Sequence, residues 1–232
     1  MAAIDRNLVR ALPMFEKLDD AELDRLLARA TLRRVPVGEA VFEQGQKATQ
    51  FFVLLNGRLK VKQVTADGQQ IIVRMVSPGD IFGFTKALQR DHYPGTPVAA
   101  ADSLVICWPT EVWSEVIEQN PQLAVNAMQT IGQRLQEAHT RIRELATEEV
   151  ERRVAHAVLR LIDEAGKKES AGIRIDFPIS RQDIGEMTGT TLHTVSRILS
   201  AWEAQGLVEC GRQKLLVRDT DGLRTLAEGP GD

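Results

Sequence analysis

The densest concentration of hydrogen-bonding side chains lies in ISRQDIGEMTGTTLHTVSRILSAWEAQGLVECGRQKLLV, residues 179–217. Leu192, Val195, Ile198 and Leu199 recur at three- and four-residue intervals, which puts them on one face of a helix and leaves His193, Thr194, Ser196 and Arg197 free to present polar groups. Arg197 offers a planar fork of N–H donors that fits O6 and N7 of guanine together, a contact worth roughly 1–3 kcal/mol of base discrimination. His193, one helical turn earlier, carries an imidazole that can donate or accept. Thr191 and Thr194 have hydroxyls of the kind that hold phosphate oxygens, contacts that position a protein on a duplex without reading it.

Those side chains need a scaffold, and the surrounding residues supply one. Ser180 and Asp183 resemble an N-terminal cap, with Asp where a capping box usually has Glu or Gln. Ile184 and Met187 supply the inward face of a short first helix, Gly189 permits a tight turn, and the second helix ends near Gly206. This is helix-turn-helix spacing. The following LVECGRQKLLV has two apolar runs around Gly211, which predicts a hairpin wing with Arg212 and Lys214 available to phosphates. Residues 173–218 hold six basic and five acidic side chains, so any grip on DNA is local rather than a bulk-charge effect.

Upstream, Met128, Ile131, Leu135, Ala138, Ile142 and Leu145 alternate intervals of three and four, the pattern of a coiled-coil seam. Arg134, Glu137, Arg141 and Glu144 can flank it. The spacing predicts a homodimer through this helix; the plainer reading is an amphipathic helix packed on its own domain. A further helix over 148–164 carries Val150, Val154, Val158, Leu161 and Ile162 on one side, and the polar, glycine-flanked GKKESAG then interrupts the pattern.

Between Leu32 and about Trp108, short runs of Val, Ile, Leu and Phe are separated by Gly38, Gly45, Gly57, Gly68 and Gly79, the rhythm of a small all-β sandwich or roll. Ala66-Asp67-Gly68 joins LKVKQV to QQIIVRMV as a hairpin, and Gly57 reads as an earlier turn of the same kind. The expected organisation is a sensing β-roll over 1–120, a dimerisation helix over 121–147 and a winged helix-turn-helix domain over 148–232, with a frayed end in EGPGD.

Composition narrows the field. With 232 residues, 43% hydrophobic and 26% charged, the chain suits two modest folded domains, and its formal charge of -3 excludes a polycation. Cys107 and Cys210 are too few for a disulfide framework or a cysteine-ligated cluster. The charged start MAAIDRNLVRAL and the short apolar run Phe51–Leu55 indicate neither export nor a membrane partner, so a cytoplasmic protein with reduced thiols is expected. An enzyme of the cupin kind would need clustered metal-binding histidines, whereas none of the four here falls between residues 32 and 91. We therefore expect no catalytic residues, and the dispersed histidines assign no set of metal ligands. A ligand-binding adaptor whose winged helix meets protein is the remaining alternative.

Taken together, the glycine-punctuated β segment, the seam helix and ISRQDIGEMTGTTLHTVSRIL resemble the cyclic-AMP receptor protein/FNR superfamily of bacterial transcription regulators over nearly the whole chain. The resemblance implies an α+β fold: an N-terminal double-stranded β-helix (a cyclic-nucleotide-binding-like jelly roll), a long dimerisation helix and a C-terminal winged helix-turn-helix. It implies that Arg197 contacts guanine, that Ser196 matches the FNR-type serine, and that the site is an inverted repeat of TTG-like half-sites in double-stranded DNA, about 34 Å apart. His193 stands where the family commonly has glutamate, so the adjacent base should differ. RNA polymerase is an implied partner.

The same resemblance bears on the effector. Phe84 follows Gly83 where the family's ribose-binding glutamate falls, and Pro94-Gly95 replace its phosphate-binding arginine and hydroxyl pair, which counts against cyclic AMP. The first cysteine is Cys107, which counts against an FNR-type iron–sulfur cluster. GTTLHTVSRILSAWE resembles the nitric-oxide-responsive NnrR-type regulators of denitrification, for which haem is a candidate cofactor and His92, with Phe84 nearby in sequence, a candidate effector residue.

Overall fold

Successive side chains of a strand point to opposite faces, so an uninterrupted apolar run requires a sheet covered on both sides. The computed structural model describes residues 6–10, 12, 15, 18–85, 88–119 and 121–229, and it shows that arrangement. Strand β1 (Thr31–Val35), β2 (Gln50–Val64), β3 (Gln70–Val76), β4 (Ile81–Phe82) and β5 (Thr96–Pro109) form a sheet of order β1-β5-β2-β3, with β4 on β2. Phe51 and Val53 of β2, with Ile106 and Trp108 of β5, face a core completed by α1 (Arg6–Arg10), α2 (Asp20–Ala28) and α3 (Glu111–Gln119). Their neighbours Phe52, Leu54, Val105 and Cys107 face a second core with Phe42, Phe82 and Tyr93.

Gly57 is not a turn. It lies inside β2, at φ +94, where the register against β5 shifts three times between Leu54 and Leu59. These are bulges, which bend a strand while keeping it paired. The expected hairpin beyond it is present: β2 and β3 are joined by a turn in which the Thr65 N–H donates to the Gln69 carbonyl at 2.9 Å.

Helix α4 spans Pro121–Thr147. The chain divides into two compact units, residues 1–64 with 74–137 and residues 65–73 with 138–232, so α4 contributes to both.

In the second unit, α5 (Val150–Ala165) is followed by β6 (Gly166–Glu169) and β7 (Gly172–Ile175), then α6 (Arg181–Thr188), α7 (Leu192–Ala204), β8 (Val208–Gly211), β9 (Lys214–Val217) and α8 (Thr220–Glu228). The interruption read in GKKESAG is thus the start of a hairpin, and the wing is a four-stranded sheet of order β6-β7-β9-β8. Val154, Val158, Leu161 and Ile162 are buried as their spacing predicts, joined by Ala155 and Ala157. α8 closes the unit with Leu223 and Ala227, and Arg152 donates to the Ala227 and Glu228 carbonyls at 3.0 and 2.8 Å, a cation at a helix C-terminus. Of the EGPGD end, Pro230 to Asp232 lie outside the described residues.

A Cβ at Gly57 would stand 2.3 Å from Ser103 Oγ and 2.6 Å from the Asp102 carbonyl, whereas one at Gly68, also at positive φ, meets nothing within 4 Å. Gly57→Ala is expected to lower the unfolding free energy by about 2 kcal/mol or more, and Gly68→Ala by about 1 kcal/mol, measured by urea denaturation. The reverse order would contradict the bulge geometry.

Candidate nucleic-acid interface

The interface is built from the cap of α6 outward. Asp183 N–H donates to Ser180 Oγ at 3.0 Å, and Ser180 N–H donates to Asp183 Oδ2 at 3.0 Å. The capping box therefore closes with the shorter carboxylate. Gly189, left-handed at φ +64, ends α6 and turns the chain. Thr191 then caps α7, accepting from Thr194 N–H at 3.1 Å, with the two hydroxyls 3.0 Å apart.

Helix α7 is fastened on one face. Val195, Ile198, Leu199 and Trp202 are buried, and Trp202 Nε1–H donates to Glu151 Oε1 of α5 at 2.8 Å. Leu192 lies on that face as its spacing suggests but, at the first turn of the helix, is 40% exposed and lines a cleft with Ile184 and Leu199, while Trp202 extends the buried face further along. The opposite face is polar. His193 and Arg197 are exposed, Thr194 and Ser196 half-buried. Among the described residues, the Arg197 guanidinium and the His193 imidazole make no hydrogen bond or ion pair, so their donors remain available.

The wing lies beside this face. Arg212 and Lys214 are exposed at the β8–β9 turn, where Gly211 pairs with Lys214. A cleft of about 520 Å³ separates the wing from α6 and α7, and Arg181 shares it with Arg212 and Lys214. Sequence reasoning missed Arg181; its place at the first residue of a capped helix was the available signal. Cys210, also in this cleft, has its thiol pushed up by burial and by Glu203, and so stays protonated rather than becoming a reactive thiolate.

The seam residues Met128, Ile131, Leu135, Ala138, Ile142 and Leu145 are all exposed along α4, Met128 by 63% and Ile142 by 62%. The charges expected to flank the seam are engaged within the chain. Arg134 pairs with Asp80 and Glu137, Arg141 donates to the Val73 carbonyl, and Glu144, buried, pairs with Arg160 at 2.6 Å.

Two further candidates come from the β-roll. Phe84 is half-buried, edge-on to Trp113 with ring centroids 4.1 Å apart. His92 is exposed and bridged to Lys47, between Asp91 and the buried Tyr93. Among the described residues, no group of three or more His, Cys, Asp or Glu is disposed to hold a metal ion, and no helix is long and apolar enough to cross a membrane.

Residues 32–120 match the cyclic nucleotide-binding domain family and residues 152–226 the Crp-like helix-turn-helix domain family. The chain is 28% identical to the cyclic AMP receptor protein of Thermus thermophilus, over 94% of this chain and 97% of that one. It is 26% identical to the transcriptional activator protein FnrA of Stutzerimonas stutzeri, over 95% and 90%. The structure of FixK2 from Bradyrhizobium japonicum superposes with a TM-score of 0.76 at 23% identity, covering 87% of this chain and 99% of that one, a likeness of fold.

The Trp202–Glu151 bond tests how α7 is held. Glu151→Ala, which leaves the buried Trp202 ring in place but removes the acceptor of its N–H, is expected to cost about 1–3 kcal/mol in unfolding free energy, while Glu151→Gln, which keeps an acceptor, costs less. A negligible loss in Glu151→Ala would show that packing, not the bond, does the holding.

Proposed function

We propose, from the premise that the chain belongs to the Crp/Fnr family of DNA-binding transcription regulators, that it works as a homodimer which reads an inverted repeat and is gated by nitric oxide or nitrogen oxides in denitrification control. The observation that carries the DNA-reading assignment is the polar face of α7, with Arg197 unengaged and exposed and the opposite face buried. A helix of this kind enters the major groove with its early turns toward the bases. Arg197 takes guanine, His193 and Ser196 its neighbours, Thr191 and Thr194 phosphates on one side and Arg212 and Lys214 phosphates along the wing.

The dimer is supported by α4. If this helix were simply amphipathic against its own domain, its apolar stripe would be the covered side; here Ala127 is buried while Met128, Ile131 and Leu135 face water. An isologous contact through that stripe buries it and brings two copies of α7 into two-fold relation.

The effector assignment rests on the resemblance of GTTLHTVSRILSAWE and on chemistry missing from the β-roll. Phe84, packed on Trp113, offers no acceptor to a ribose. A side chain at Gly95 would begin 2.8 Å from the Lys62 carbonyl, so no hydroxyl can be placed there for a phosphate. Ligand binding in the β-roll would act by favouring one of two arrangements of the dimer helices, which requires unequal affinity for the two. The soluble location of such a regulator is the cytoplasm, with RNA polymerase as its further partner.

Under anaerobic conditions, protein exposed to nitric oxide is expected to bind an inverted-repeat duplex more tightly than the same protein without it, at fixed salt. Arg197→Ala should erase the preference for guanine in the half-site while leaving the fold intact; unchanged base preference would overturn the assignment. Replacing Ile131 and Leu135 together by Glu should yield monomers by sedimentation, since charge would enter the seam unpaired. Persistent dimers would place the contact elsewhere.

A further inference from the structure

Helix α7 has two flanks, and they differ in charge. One borders the cleft edged by Arg181, Arg212 and Lys214. The other borders a groove of about 680 Å³ running to the start of α5, lined by Glu149, Glu151 and Arg153 on one side and by Thr194, Arg197 and Ile198 on the other. An α-helix with its side chains is about 10–12 Å across and the major groove about 12 Å wide. A helix seated there has a phosphate wall on each side, and whatever lies on its flanks meets those walls.

The charges of the second groove are not equally free. Glu151 accepts from Trp202 at 2.8 Å. Arg153 donates to the Thr188 carbonyl at 3.1 Å and the Glu148 carbonyl at 2.8 Å. Glu149 occupies the N-cap of α5, where its carbonyl accepts from Arg153 N–H at 3.1 Å, yet its side chain makes no cap bond; that side chain is exposed and, among the described residues, has no hydrogen-bond or ion-pair partner. Arg197 is in the same condition on the facing wall. Two unengaged, opposite charges therefore share one groove.

We propose that Glu149 is a specificity-determining residue: it competes with DNA phosphate for the Arg197 guanidinium and yields that group only to a correctly placed guanine. The proposal rests on the reading of α7 as the helix that enters the major groove. On a wrong sequence, Arg197 could still gain sequence-independent attraction from a phosphate, and a carboxylate on the same flank offsets that gain. On the right sequence, two N–H donors meet two base acceptors in fixed geometry, and Arg197 turns from Glu149 without loss. Glu149 thus weakens wrong complexes more than right ones. The basic flank along the wing supplies attraction to any duplex; the Glu149 flank withholds it.

The experiment compares affinities of the full-length protein for an inverted-repeat duplex and a scrambled duplex across a range of salt, under the activating condition. Glu149→Gln is expected to tighten scrambled binding roughly three- to tenfold, about the effect of one added phosphate contact, to steepen its salt dependence correspondingly, and to change inverted-repeat binding by less than about twofold. Glu149→Asp, which keeps the charge, should hold the ratio near the wild-type value. In an Arg197→Ala background the Gln substitution should leave the ratio where it stands. Equal tightening on both duplexes, or an unchanged ratio while Arg197→Ala abolishes discrimination, would overturn the role of Glu149 and leave α7 as the reader. A wild-type protein with no preference for the repeat would instead overturn the reading beneath it.

Discussion

A helix can read base edges only if the side turned away from DNA is immobile, and here that constraint falls on Trp202. Its ring is wholly buried and its one donor is satisfied by Glu151 of α5, so α7 is fixed against α5 by apolar packing and by a charge-assisted hydrogen bond at once. The helix caps contribute in the same direction. Ser180 with Asp183, and Thr191 with Thr194, satisfy amide groups at the starts of both helices, which fixes where each begins and therefore which residues face outward. A shift of one position in α7 would turn Arg197 by about 100° around the helix axis. The recognition chemistry proposed for α7 rests on Arg197 and its neighbours, and their aim is set by Trp202 and the caps.

The seam on α4 is governed by the opposite imbalance, apolar surface that the chain itself does not cover. Large exposed apolar stripes are uncommon on soluble monomers and mark contact surfaces. What makes the stripe on α4 informative is the fate of the polar residues around it. Arg134, Arg141 and Glu144 are each spent on partners within the chain. The stripe is then left with little charge to specify a partner, and self-association of identical apolar stripes needs little.

Much of this was legible in the sequence because helices with one buried face announce themselves. The period of α4, α5 and α7 and the positions of Ser180, Gly189 and Gly206 were enough to lay out the helix-turn-helix. The misreadings have a common physical origin, which is that local patterns do not carry information about pairing partners. Gly57 has the same local signature as a turn glycine, and only its register with β5 reveals a bulge. Strand β6 is exposed at every position, so no alternation marks it; it exists through backbone pairing to β7. Leu192 fits the helical period of the buried face yet lies at the helix start, where the neighbouring elements do not extend far enough to cover it. Arg181 and Glu149 were passed over for a related reason. Each matters through a groove it shares with residues far along the chain, Arg181 with Arg212 and Lys214, and Glu149 with Thr194 and Arg197.

The two grooves flanking α7 also bear on how gating and reading are related. An effector that changes the spacing of two recognition helices alters affinity for right and wrong duplexes alike unless something distinguishes them in each half of the dimer. Spacing selects repeats of the correct separation, whereas discrimination within a half-site depends on the local competition for Arg197. A near-neutral charge on the helix-turn-helix segment leaves little bulk attraction to spare, so the selectivity proposed above would come from one guanidinium that is attractive to guanine and costly to place on phosphate. The formal charge of -3 is consistent with such an arrangement, in which grip on arbitrary DNA is weak and affinity concentrates where base edges meet the Arg197 fork.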